Sequence, residues 1–424
     1  MAVSKAIRNI LKGDIVIWVV VIFLFIFSIL SVYSSTFSLA YKYKSGNTEY
    51  YVLKHLFIIV VGFALMYYFH RINYKKFRIL SWLFIVIAVP LLLFTFFKGT
   101  SINEASRWIT VPVIDITFQT SDLAKIALIM YVARLIATKQ GEVSKFGIEE
   151  FKNVLLPVLI PIFIVCLLIL KSNFSTSALL FFTCFMLMYV GRVNIKYLLL
   201  IVAVAVLGLF LFIIILSSSN SQGRLGTWKN RVESFTGIDL STFKFKNKVN
   251  ESSESIIKTN NVKYNINDEN YQVAQAKIAI ATGGIIGKMP GNSMQKNFIP
   301  HSYSDFIYSI IIEEYGLIGG VFVLLLYLIL MYRVIRIVIK AGEDYFGALL
   351  AFGLGFSIVF QALINMCVAV YLLPVTGQPL PFVSMGGTAI WFSSISLGII
   401  LSISREYENK TEIKTENKTE SKKE

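Results

Sequence analysis

The chain has 424 residues, 56% of them hydrophobic and 14% aromatic, with a formal charge of +15 and a mean hydropathy of +0.68. Such a composition excludes an ordinary soluble domain. Cys166, Cys184 and Cys367 all fall inside apolar runs and the three histidines have no ligand spacing, which argues against a disulfide framework or a Cys/His metal site.

Ten apolar runs follow one another: 14–34, 51–69, 78–97, 122–138, 152–170, 174–190, 196–216, 304–332, 345–371 and 387–403. Each has roughly the length needed to cross about 30 Å of hydrocarbon as a helix. The expected fold is an all-α polytopic membrane protein, with a ten-helix domain over 1–403. The first run is too long for a removable signal peptide and lacks its small-residue cleavage site. Lys and Arg concentrate in alternate short connections (Arg71, Lys75, Lys76 and Arg78, then Arg134, Lys139 and Lys145), which predicts both termini in the cytoplasm. The net charge is then mostly this pattern plus attraction to anionic lipid, with no call for nucleic acid.

Between the third and fourth runs, EASRWITVPVIDITFQTSDLAK is unusually polar for a short outer link, with Arg107, Trp108, Gln119, Asp122 and Lys125. Trp108 suits the membrane interface, Arg107 has the fork for a phosphate, and Asp122 and Lys125 are spaced for an ion pair. In KSNFSTSA, before the sixth run, Asn173 is placed to cap a helix. Residues 217–303 form one large extracytoplasmic loop between runs seven and eight. It has eleven Lys or Arg against six Asp or Glu. Its middle, about 237–270, reads as flexible and its flanks as structured. Arg224, Arg231, Lys288 and Lys296 in these flanks are candidate ligands for an anion; a solvated basic loop beside anionic lipid is the plainer alternative.

The eighth run opens SDFIYSIIIEEYGLIGG. As a helix from its start, it would line up Asp305, Ser309, Glu313, Gly316 and Gly320 on one face, with Glu314 about 100° away. Acids at membrane depth are functional candidates, although Glu313 and Glu314 could equally be buried partners of Lys or Arg and Asp305 a helix cap. LPVTGQPLPFVSMGG lies between the last two runs. Pro374, Gly377, Pro379, Pro381, Gly386 and Gly387 forbid a regular helix there. Irregular backbone at this depth implies a protein-lined cavity, with Ser384 as a candidate contact. The charged tail 404–424, with its KTE units, is expected to be disordered and cytoplasmic.

Together these segments resemble the SEDS family (shape, elongation, division and sporulation). RWI…FQTSDLAK is similar to the family's RWI…QPSELAK. GGIIGKMPGNSMQKNFIPHSYSDFIYSIIIEEYG is similar to its GG…G.G.S.QK…PE.HTDFIF…EE.G, and LPVTGQPLPFVSMGG to its Pro/Gly signature. NFIPHSYSDFIY and VTGQPLPFVSMGGT are more similar to the division (FtsW) branch than to the elongation (RodA) branch. The resemblance covers nearly the whole chain before the tail. It implies a peptidoglycan glycosyltransferase that polymerises lipid II at the outer membrane face, with Asp305 as catalytic aspartate. It also implies a class B penicillin-binding transpeptidase and the divisome as partners. The chain departs from the family pattern at His301, Tyr303, Thr120, Asp122 and in the 171–175 stretch.

The chemistry expected is inverting transfer of a sugar from a polyprenyl diphosphate, with Asp305 as general base and cations on the departing diphosphate. A divalent cation, Mg or Mn, is consistent with such chemistry, but no ligand set is legible. The competing expectation is a lipid II flippase, since broken helices and buried acids also suit a transporter. The distinctive motifs sit on the outer side only, which favours the enzyme.

Overall fold

The computed structural model describes residues 12–36, 48–98, 100–102, 105–111, 116–218, 226, 271–299 and 302–420. Ten long helices fall on the ten apolar runs: α1 Ile15–Ser35, α2 Thr48–Arg71, α3 Lys75–Lys98, α4 Thr120–Thr138, α5 Leu156–Ser172, α6 Phe174–Val190, α7 Ile195–Ser218, then, beyond a further helix α8 Tyr271–Gly283, α9 Ile307–Ala341, α10 Tyr345–Ala369 and α11 Thr388–Glu420. Eight of these segments are long and apolar enough to cross a membrane; α4 and the shorter α6 fall outside that set among the described residues. The fold is an all-α polytopic membrane fold.

Polar residues mark the ends of the spans. Asp14 Oδ1 accepts from the Val16 backbone N–H at 3.0 Å and caps α1, while both of its oxygens hold Arg333 of α9, at 2.6 Å for the Nη2–Oδ2 pair. Asn173 caps α6 as its sequence predicts, accepting from the N–H groups of Ser175 and Thr176. Asp344 caps α10 through Gly347 and also accepts from the Tyr74 hydroxyl. These contacts fix the chain where helices leave apolar surroundings and backbone groups lose their partners.

Helix α11 packs along α2, α9 along α10 and α1, and α4 against α3 and α10. Buried apolar side chains from all of these form one continuous core, with Trp18, Tyr327 and Phe382 among the largest. Close approach at the α2–α11 contact comes from small residues. A Cβ at Gly398 would stand 2.6 Å from the Met66 carbonyl oxygen.

The structure adds one element and changes two expectations. The link between α3 and α4 is a three-stranded antiparallel sheet: β1 Thr100–Ile102, β2 Ala105–Val111 and β3 Ile116–Gln119, with Trp108 opposite Gln119 and Val111 opposite Ile116. β-branched residues on both strands fit that ladder. The tail is helical instead of disordered as far as Glu420. After Gly398 it has no Gly or Pro, so the last span propagates into it without a new nucleus. Finally, α9 begins at Ile307, with Phe306 as its cap, and Gly316 within it has φ +69. Asp305 therefore stands in a turn before the helix, and the predicted face running from Asp305 to Gly320 is broken at Gly316.

Candidate functional site

Asp305 lies in the turn 302–306, partly exposed, between the buried Ser302 and Phe306. The turn's position is set by three successive carbonyls. The Tyr303 carbonyl accepts from Met385 N–H at 2.9 Å, that of Ser304 from Ser384 Oγ at 2.6 Å, and that of Asp305 from Asn365 Nδ2 at 2.8 Å. These donors belong to α10 and to the irregular segment before α11, 60 or more residues along the chain. Ser304 Oγ donates to the carboxylate at Oδ1, 2.8 Å. On the other side, Phe306 packs with Ala276 of α8, Ile299 and Ile310, and Val375 closes the cluster. The aspartate is thus carried on a rigid bracket, although it is not itself in a helix.

The Pro/Gly segment is irregular as predicted and forms the bracket's second arm. Gly377 has φ +64, and a Cβ there would come 3.6 Å from Asp305 Oδ2. Without a side chain, this residue leaves the carboxylate's flank open. The next two carbonyls are held by α10: Gln378 O accepts from Asn365 Nδ2 at 2.7 Å and Pro379 O from Gln361 Nε2 at 3.0 Å. Pro381 O accepts from the Tyr327 hydroxyl, and Ser384 Oγ also accepts from Leu380 N–H at 2.8 Å. Pro374 and Gly386 lie on the same segment, and Gly387, with φ +55, turns the chain into α11. The backbone groups that proline and turns deny to a helix are met by side chains, as the membrane requires. Ser384, the candidate contact in this segment, braces the architecture through its bonds with Leu380 and Ser304.

Glu313 and Glu314 are spent on structure. Glu313 is fully buried and holds the loop that follows α8. It accepts from Lys288 Nζ at 2.8 Å, from the N–H groups of Met294 and Gln295, and from Ser293 Oγ. Glu314 accepts from Ser34 of α1. Lys296 Nζ donates to Ser34 Oγ at 3.2 Å and to the Gly291 carbonyl at 2.6 Å. Lys288 and Lys296, both partly exposed, therefore tie a loop to buried polar groups. A buried carboxylate demands a cation or donors, and these lysines and N–H groups are what the chain supplies.

Asp122 and Lys125 form the expected ion pair, at 2.8 Å, and Lys125 Nζ reaches Gln361 Oε1 at 3.2 Å. They line a cavity of about 30 Å³ with Gln361, Pro381 and Ser393, room for a water molecule or two. Gln119 bonds Ser121 through its side chain and Thr388 Oγ1 through its N–H, joining β3 to the start of α11. Arg107 and Trp108 are on β2, in the same sheet. Arg224 and Arg231 lie outside the described residues.

Sequence reading missed Gln361, Asn365, Gln378 and Lys277. Gln378 Nε2 donates to Thr176 Oγ1 at 2.6 Å, and Lys277 of α8 places its ammonium 3.5 Å from the centre of the Tyr371 ring. The signal available for the first two was a pair of amides four residues apart in an otherwise apolar run. Among the described residues no three His, Cys, Asp or Glu side chains gather to hold a metal ion. Asp305 supplies a single carboxylate, and Mg²⁺ is usually bound through one or two carboxylates with the remaining positions filled by other oxygens.

The family model described as "Cell cycle protein" (FtsW, RodA and SpoVE) matches residues 14–409. Stage V sporulation protein E of Bacillus subtilis is 27% identical over 400 residues, covering 92% of this chain and 97% of that protein. The probable peptidoglycan glycosyltransferase FtsW of Geobacter metallireducens is 30% identical over 404 residues, covering 94% and 96%. Among solved structures, a chain of a peptidoglycan synthase complex superposes with a TM-score of 0.68 at 19% identity, covering 93% of this chain and 98% of that one. RodA of Thermus thermophilus superposes with a TM-score of 0.61 at 19% identity, covering 94% and 99%. Through the family match over nearly its whole length, this chain belongs to the FtsW/RodA/SpoVE family of cell cycle proteins.

Proposed function

We propose that the protein is a peptidoglycan glycosyltransferase that polymerises lipid II at the outer face of the bacterial plasma membrane, with both termini in the cytoplasm. The observation that carries this reading is the Asp305 carboxylate, partly exposed on a turn whose three carbonyls are held from distant parts of the chain. A base must be fixed in position to act, and this one is. The carboxylate takes the proton of the acceptor sugar's 4-hydroxyl as that oxygen attacks the anomeric carbon of the donor sugar. The bond to the diphosphate breaks, and the polyprenyl diphosphate leaves with the electron pair. An α-linked donor gives a β-linked product in this single displacement, so no covalent enzyme intermediate is required.

The leaving diphosphate needs positive charge. Lys277, on the helix whose Ala276 packs against Phe306, and Arg107, on the sheet beside the start of α11, are the cations we assign to it. A Mg or Mn ion would supply further charge stabilisation on the diphosphate, and Asp305 is the carboxylate that would help to hold it. We assign the septal, division role from the FtsW-like motifs, with a class B penicillin-binding transpeptidase and the divisome as partners.

The test is polymerisation of labelled lipid II by purified full-length protein, with and without its transpeptidase. Asp305→Asn and Asp305→Ala should lose at least about 10²-fold in rate while remaining folded. Undiminished polymer from either variant would remove Asp305 from the chemistry. Polymer from neither wild type nor variants, together with transfer of lipid II between leaflets, would favour the flippase.

A further inference from the structure

Asn365 makes two hydrogen bonds, to two different segments. Its Nδ2 donates to the carbonyl of Asp305 at 2.8 Å and to that of Gln378 at 2.7 Å. It is 1% exposed, and its Oδ1 has no hydrogen-bond partner among the described residues. The side chain thus acts only as a double donor. Burying an unmet amide oxygen costs free energy, so this residue is an expensive way to fill space. One helical turn earlier on α10, Gln361 holds the adjacent Pro379 carbonyl at 3.0 Å and accepts from Lys125, which is paired with Asp122 of α4. The same face of α10 therefore grips the Asp305 turn and the Gly377–Pro379 stretch together, and Gly377 flanks the carboxylate.

We propose that Asn365 is a positioning residue for the transfer reaction: it locks the Asp305 turn to the Pro/Gly arm, so that the carboxylate meets the acceptor hydroxyl in one fixed geometry. Gln361, backed by the Asp122–Lys125 pair, holds the arm from the neighbouring carbonyl. The proposal rests on Asp305 acting as the base. It assigns the two amides different weights, since only Asn365 touches the aspartate's own backbone.

The variants that separate these roles are Asn365→Asp and Asn365→Ala, with Gln361→Ala and Asp305→Ala beside them. Asn365→Asp keeps size and shape but turns a carboxylate toward two carbonyl oxygens. Rates of labelled lipid II polymerisation would be measured in full-length protein in liposomes, normalised to folded enzyme by thermal unfolding and size-exclusion chromatography. The expected result is a fall in kcat of about 10²-fold for both Asn365 variants, with KM for lipid II within about 2-fold of wild type, because a misplacement near 1 Å costs that much in rate. Gln361→Ala should fall much less. A purely structural role would lower the amount or melting temperature of folded protein and leave kcat per folded enzyme unchanged; that result overturns the proposal. If Asn365→Ala does not fold, the isosteric Asn365→Asp decides by the same criterion. Loss of rate in Asp305→Ala with full kcat in both Asn365 variants would reject the positioning role and keep the base. Full rate in Asp305→Ala would reject the base itself.

Discussion

At the scale of residues, what separates Asp305 from the other acids of the same segment is how their oxygens are used. Glu313 is fully buried and receives an ammonium, two backbone N–H groups and the hydroxyls of Ser293 and Thr282, whereas Asp305 is a partly exposed residue whose carboxylate accepts from the neighbouring Ser304. Replacing Glu313 by Ala leaves Lys288 and those donors without their acceptor. The expected cost is about 3–5 kcal/mol, read as a lower melting temperature and faster proteolysis in the loop that follows α8. Gly377→Ala tests the opposite quality, openness. The new methyl would sit 3.6 Å from Asp305 Oδ2, at a backbone conformation (φ +64) that alanine resists. Strain of about 1–2 kcal/mol and a methyl in van der Waals contact with the base should lower the polymerisation rate more than the stability of the fold. A variant that melts earlier but turns over at the wild-type rate would show that the flank has no part in the reaction.

At the scale of elements, the break in α9 and the loop after α8 are one construction. Gly316 departs from helical geometry with φ +69, and the N–H groups of Leu317 and Ile318 turn to the carbonyls of Gly284 and Ile285. In return, Lys288 N–H donates to the Glu313 carbonyl. The approach is so close that a Cβ on Gly316 would lie 2.1 Å from the Ile285 carbonyl oxygen. Gly316→Val should therefore give little folded protein. Gly291→Ala, in the same loop at φ +84 but with open space around the added methyl, should cost only its backbone strain, about 1–2 kcal/mol. Comparable yields and melting temperatures for the two would mean that the loop yields instead of clashing. Neither feature was legible in advance. The glycine in EEYGLIGG reads as ordinary helix-packing punctuation until a second segment is laid against it.

At the scale of the whole molecule, the spans were legible because a bilayer asks for a length of apolar chain, and that is local information. Asp305 was legible as a candidate through the SDFIY motif, but its placement in a turn was not. The turn is stabilised by Met385, Ser384 and Asn365, which no local pattern connects to it. The partners of Lys288 and Lys296 were illegible for the same reason: nothing local says that the fold delivers Glu313 and Ser34 to these loop lysines. The clasp of Asp14 with Arg333, which ties the first span to α9, is equally long-range. A double-mutant cycle of Asp14→Ala and Arg333→Ala should show coupling of about 0.5–3 kcal/mol in thermal unfolding, and additivity would mean the clasp contributes nothing. Removing residues 410–424 should leave the rate of polymerisation unchanged, since the bracket's last contact comes from Met385.

The bracket also dates the birth of the site. A ribosome releases the aspartate well past the middle of the chain, yet the groups that aim it emerge 60 to 80 residues later still, on α10 and ahead of the last span. A nascent chain paused between these points would already display the carboxylate beside lipid, but on a turn free to wander. Catalytic competence would then arrive as a single late event in membrane insertion, leaving unfinished copies inert toward the lipid-linked sugars around them.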